Sequence, residues 1–130
     1  MSTYTQIQIQ AVFAVKNRNA LIDKSWRERL YQYIVAIMKN RGHKVLAIGG
    51  TGDHVHVLFG LNVTDAISNL MLAVKRDSSI WIKENQFITG EFRWQNGYGA
   101  FSYNQSQIDG VVKYIKNQET HHTTLIPLKI

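Results

Sequence analysis

The 130-residue sequence has no cysteine, a single proline and no long apolar run. The missing thiols exclude a disulfide scaffold, cysteine nucleophiles and cysteine-ligated zinc or iron–sulfur sites, and nothing in the composition calls for an oxidising compartment. Pro127 lies close to the C-terminus, so no proline-rich linker interrupts the body of the chain, and neither a repeat nor a low-complexity tract divides it. No stretch approaches the roughly 20 apolar residues that a membrane-spanning helix requires. Met1-Ser2-Thr3-Tyr4-Thr5-Gln6 lacks the basic start and apolar core of a signal peptide. These absences predict one cytoplasmic domain over 1–130 with no membrane partner. Acidic side chains are also few: 9 Asp+Glu against 15 Lys+Arg leave a formal charge of +6, which favours a polyanionic partner. With 45% hydrophobic and 11% aromatic residues the chain can build a core, which excludes disorder as its main state.

The residues that are present alternate between the two regular periodicities. Ile7, Ile9, Ala11, Phe13 and Val15 alternate with Gln6, Gln8, Gln10 and Lys16, the period of a strand with one buried face. Asp23 can cap a helix whose stripe is Trp26, Leu30, Tyr33, Ile34, Ile37 and Met38, with Gly42 as its stop. Two strands follow, about Lys44 to Ile48 and His54 to Leu61, joined by Gly49-Gly50-Thr51-Gly52 as a hairpin. A second helix is expected from about Asp65, carrying Ile67, Leu70, Met71, Val74 and Trp81. In the aromatic segment 92–103, Asn96-Gly97 signals a turn between short strands. Ser106-Gln107-Ile108-Asp109 looks like a capping box opening a last helix striped by Ile108, Val111, Val112 and Ile115. Strand, helix, strand, strand, helix, strand plus a terminal helix is the split βαβ order of a ferredoxin-like (RRM-like) α+β fold, an antiparallel sheet with helices on one face and an added C-terminal helix.

Two constellations could carry chemistry. In Asp53-His54-Val55-His56-Val57-Leu58-Phe59 the two imidazoles share one strand face, half of a metal site with Asp53 behind it. Read alone, the pair equally fits a polar, solvated face. Tyr114 and Gln118 share one helix face at i and i+4, on the flank of the apolar stripe, where a tyrosine is more commonly a core residue with its hydroxyl in water. Trp94 and Tyr98 could stack on bases, with Lys75, Arg76 and Arg93 for phosphates, though a single ring in such a segment is more commonly an ordinary strand residue. The glycine run 49–52 is followed by no Gly-Lys-Ser/Thr, so no nucleotide cofactor is expected.

Three segments converge on one family: Gly52-Asp53-His54-Val55-His56-Val57-Leu58, Trp94-Gln95-Asn96-Gly97-Tyr98-Gly99-Ala100-Phe101-Ser102, and Val112-Lys113-Tyr114-Ile115-Lys116-Asn117-Gln118-Glu119-Thr120-His121-His122. In this order and spacing the chain resembles, from Tyr4 to His122, the small single-tyrosine HUH transposases of bacterial insertion sequences, the type named after insertion sequence two-hundred. The resemblance implies a homodimer acting on single-stranded DNA with hairpin ends. It implies that His54, His56 and Gln118 hold one Mg²⁺ or Mn²⁺, and that Tyr114 is the nucleophile that forms a 5′-phosphotyrosine and releases a 3′-hydroxyl. It leaves the tyrosine free to serve the histidines of its own chain or of a partner. Two departures stand out: Gly52 occupies a position where members usually carry proline, and Thr123 to Ile130 replace a further helical stretch, which raises the alternative of a decayed transposase copy. A non-catalytic RRM-like single-strand binding module, or a small metal-dependent hydrolase, would account for part of the pattern. The hydrolase gives Tyr114 no role and the positive charge no partner.

Overall fold

The computed structural model describes residues 2–16 and 21–118. The expected closing segment 123–130 and His121-His122 lie outside them. The elements are β1 (Gln8–Ala14), α1 (Lys24–Asn40), β2 (Lys44–Gly50), β3 (His54–Gly60), α2 (Ile67–Glu84), β4 (Gly99–Tyr103) and, after a short 3₁₀ turn, α3 (Ile108–Lys116). The four strands form one antiparallel sheet in the order β2-β3-β1-β4, the ferredoxin-like arrangement expected from the element order.

Strand alternation sorts the side chains into two layers. Ile9, Ala11, Phe13 and Val15 of the β1 run and Val55, Val57 and Phe59 of β3 face α1 and α2, whose Trp26, Leu30, Ile34, Met38, Leu70, Met71 and Val74 close the main core. Asp23 caps α1 as expected, accepting from the Ser25 backbone N–H at 3.0 Å. Asp65 instead leaves the start of α2 uncapped: it takes a bidentate grip on Arg41 at 2.9 and 2.7 Å and a third bond from buried His43 at 2.8 Å. The Arg41 hydrogen bond is the main reason that its carboxyl titrates at about 2. These bonds tie the end of α1 to the start of α2.

The opposite face of the sheet is covered by α3. Ile108 and Ile115 pack on Ala47 of β2 and Leu58 of β3, forming a second, smaller core. Gly49 makes this close seating possible, because a Cβ there would run into the Ile115 carbonyl oxygen. Among the described residues no helix is long and apolar enough to cross a membrane.

Three local expectations change. β2 runs through Gly50, so half of the expected glycine loop is strand. The capping box sits two residues earlier, with Asn104 and Gln107 as its partners and Asn104 N–H donating to Gln107 Oε1 at 3.0 Å. The aromatic segment is no hairpin: Trp94 bridges Val15 and β4 pairs with Gln8 to Val12, so both flanks run in sequence along the same edge of β1. The Asn96-Gly97 turn, with Gly97 at φ +81°, makes an outward excursion between them.

Candidate active site

The site lies on the face that α3 covers. His54 and His56 point to this side because Val55, Val57 and Phe59 point to the other. Their ring centroids are 6.4 Å apart. Each ring is held at Nδ1. His54 Nδ1 lies 2.6 Å from Asp53 Oδ1, which also accepts from Thr51 Oγ1 at 2.9 Å. His56 Nδ1 lies 2.8 Å from the side-chain oxygen of Gln10. Carboxylate and amide oxygens only accept, so in this arrangement each imidazole donates from Nδ1. Burial, with a smaller contribution from the neighbouring His54, lowers His56 to about 4, which leaves it neutral at pH 7.

The third side of the site comes from α3. The Tyr114 ring meets His56 edge to face, centroid to centroid 6.0 Å. Gln118 follows one turn later and is buried, its amide nitrogen donating to the Tyr114 carbonyl at 3.3 Å. The amide nitrogen is thereby occupied, and the amide oxygen is the end left to accept or ligate. Among the described residues no three His, Asp or Glu side chains converge as a metal cluster. The candidate donors are the two imidazoles of this face and, one turn past Tyr114, the Gln118 amide oxygen. That set fits Mn²⁺ or Mg²⁺, better Mn²⁺ for its imidazoles, with positions left for phosphate oxygens.

The five expected DNA-binding residues gather elsewhere, around a groove of about 450 Å³ between α2 and the 92–98 segment. Its cations are engaged within the chain: Lys75 donates to the Gln95 and Gly97 carbonyls, Arg76 pairs with Asp77 at 2.9 Å, and Arg93 with Glu91 at 2.5 Å. Tyr98 lies 5.9 Å below the Lys75 ammonium. Trp94 is buried, held edge to face by Phe13 at 4.9 Å and Phe92 at 5.0 Å, and its indole N–H donates to Ser78 Oγ at 3.0 Å. Its ring belongs to the core, which leaves Tyr98 as the ring beside the groove's cations.

Sequence reasoning missed Gln10 and Tyr103. Gln10 is 1% exposed and joins His56 to the Tyr103 hydroxyl, to which its amide nitrogen donates at 2.6 Å. Its signal was indirect: a glutamine on a central strand under a second helix layer must be hydrogen-bonded.

The profile of the IS200-like transposases matches residues 3–118. Two solved structures share the fold at a TM-score of 0.70 each. One is a Deinococcus radiodurans R1 protein assigned as a transposase, 18% identical, the match covering 91% of this chain and 95% of that one. The other is a REP-associated tyrosine transposase bound to a REP hairpin, 17% identical, covering 96% of this chain and 76% of that one. No curated protein sequence matches. The match over nearly the whole described chain identifies it as a member of the IS200-like transposase family.

Proposed function

We propose that this transposase cuts and rejoins single-stranded DNA at hairpin-bearing ends through a covalent bond to Tyr114. His54, His56 and Gln118 would hold one Mg²⁺ or Mn²⁺, which when bound polarises the scissile phosphate. The Tyr114 phenol, ordinarily near pKa 10, gives up its proton as its oxygen bonds to phosphorus. The bond from phosphorus to the 3′ oxygen breaks, and that oxygen leaves as a 3′-hydroxyl. Attack by a 3′-hydroxyl on the 5′-phosphotyrosine reverses the exchange at a new junction. One ester replaces another at each step, so no nucleotide cofactor is needed.

The observation that carries this reading is the Tyr114 ring beside His56 of the same chain, with Asp53 and Gln10 engaging the two imidazoles at Nδ1 so that Nε2 is the nitrogen remaining for a metal. It favours a site complete within one chain, two such sites making the expected homodimer. The hairpin-bound relative supports hairpin DNA as the substrate. Arg76, Arg93 and Tyr98 are the groove residues suited to backbone and base contacts, with Lys75 shaping the turn above them. The test is incubation of labelled single-stranded hairpin DNA with the protein and Mn²⁺, resolved under denaturing conditions. A covalent adduct that disappears with chelator and with His56→Ala supports the reading. Cleavage without any adduct would favour a hydrolase, and binding without cleavage a passive binding module.

A further inference from the structure

Gln10 sits at the centre of the sheet, opposite Leu58 of β3 and Phe101 of β4. His56 is opposite Val12 and Tyr103 is opposite Gln8, so Gln10 has one of them diagonally across each neighbouring strand. Diagonal partners on one face lie within reach of a long side chain. Its amide uses both ends, the oxygen on His56 Nδ1 at 2.8 Å and the nitrogen on the Tyr103 oxygen at 2.6 Å.

Only two hydrogen-bond patterns satisfy this trio. In one, His56 donates from Nδ1 to the amide oxygen and the amide donates to the Tyr103 oxygen. In the other the amide is reversed, Tyr103 donates to it, and the amide donates to an unprotonated Nδ1, which forces the ring proton onto Nε2. The first leaves Nε2 as a lone pair. The second removes it.

We propose that Gln10 is a positioning residue that, anchored on the Tyr103 hydroxyl, holds His56 in the Nδ1–H tautomer and so keeps Nε2 open on the Tyr114 side of the sheet. This rests on the metal-assisted reading above. In the same pattern Tyr103 accepts from Gln10 and keeps its own hydrogen to donate elsewhere. Tyr103 and Tyr114 border the same small core. The amide thus links the protonation pattern at His56 to the direction of a hydroxyl near the nucleophile.

The test reads the tautomer directly, by ¹⁵N chemical shifts of His56 in metal-free protein, alongside Mn²⁺ affinity. Wild type is expected to show a protonated Nδ1 and a lone-pair Nε2. Gln10→Met keeps the length and volume but has no donor or strong acceptor. It should lose that signature while the fold persists by circular dichroism, and should bind Mn²⁺ about 10–100-fold more weakly. Gln10→Glu, which still accepts from Nδ1, should restore both. A wild type protonated on Nε2 would overturn the proposal, even if neither variant folds. So would a folded Gln10→Met with unchanged tautomer and affinity, or a Gln10→Glu that behaves like it. A wild type that holds the Nδ1–H form yet binds no Mn²⁺ supports the positioning of His56 and refutes the metal reading, so the two failures are distinct.

Discussion

Gly49→Ala places one methyl group between β2 and the helix that carries Tyr114. The glycine is not at positive φ, so alanine meets no backbone strain there. What it meets is α3: the added carbon would collide with the Ile115 carbonyl oxygen and sit 3.2 Å from its carbonyl carbon and 3.3 Å from its Cγ2. Comfortable carbon contacts lie near 3.5–4.0 Å, so this turn of α3 must retreat by roughly 1 Å. Tyr114 is the adjacent residue and moves with it. A displacement of about 1 Å at a reacting group can cost about 100-fold in rate. Overpacking should cost about 1–3 kcal/mol, lowering the melting temperature by about 4 °C per kcal/mol. The main core between the sheet and α1/α2 is untouched, so the fold should persist. The assay is single-turnover adduct formation on hairpin DNA with Mn²⁺, paired with thermal unfolding. Gly52→Ala is the control, since its nearest neighbours stand 3.6 and 3.7 Å away. Wild-type rate and melting temperature in Gly49→Ala would refute the seating of α3 on β2, and with it the placement of Tyr114.

Three further outcomes follow from the site. The unfolded chain protonates His56 near 6.5, whereas the folded protein holds it neutral down to about 4. The contribution of His56 to stability is therefore complete above about pH 6.5, is lost as pH falls toward 4 by about 3 kcal/mol, and changes no further below that. Denaturant titrations of metal-free protein across this window should show the loss in wild type and not in His56→Gln; equal slopes would contradict the burial of His56. DNA affinity should fall with salt by about −0.7 in log–log slope per neutralised phosphate, and Arg76→Ala or Arg93→Ala should each make the slope shallower by about that amount; unchanged slopes would place the DNA path away from the groove. Mixed dimers of Tyr114→Phe with His56→Ala should recover no adduct on the proposed arrangement, in which each site is complete within one chain; recovery of one active centre per mixed dimer would show a tyrosine delivered in trans.

Periodicity carried the element order because nearly every strand and helix has at least one face in a core, and core faces repeat at the spacing of the element. The shared face of His54 and His56 followed from strand alternation alone. β1 is where that reasoning reached its limit. Gln8 and Gln10 read as the solvated side of a half-buried strand, yet Gln10 is buried because α3, about 100 residues further on, closes over the same face. No local pattern records that a second layer will arrive. The aromatic segment misled for a similar reason: Asn96-Gly97 marks a turn, but whether its flanks pair with each other or with a third strand is decided by which edge of β1 is open. Trp94 likewise shows its burial only once Phe13 and Phe92 are in place. At the other end of α1, Asp65 has the chemistry of a cap and is claimed by the stronger charge-assisted bonds from Arg41.

The covalent bond to Tyr114 is the claim on which the rest of the chemistry depends. Wild-type protein should be reacted with hairpin-ended single-stranded DNA and Mn²⁺, denatured, digested with nuclease and protease, and mapped by mass spectrometry. The account predicts one modified peptide, spanning Tyr114 and carrying a nucleotide through its 5′-phosphate, and none in Tyr114→Phe. Cleaved DNA with an unmodified Tyr114 peptide, or an adduct on any other residue, would contradict it.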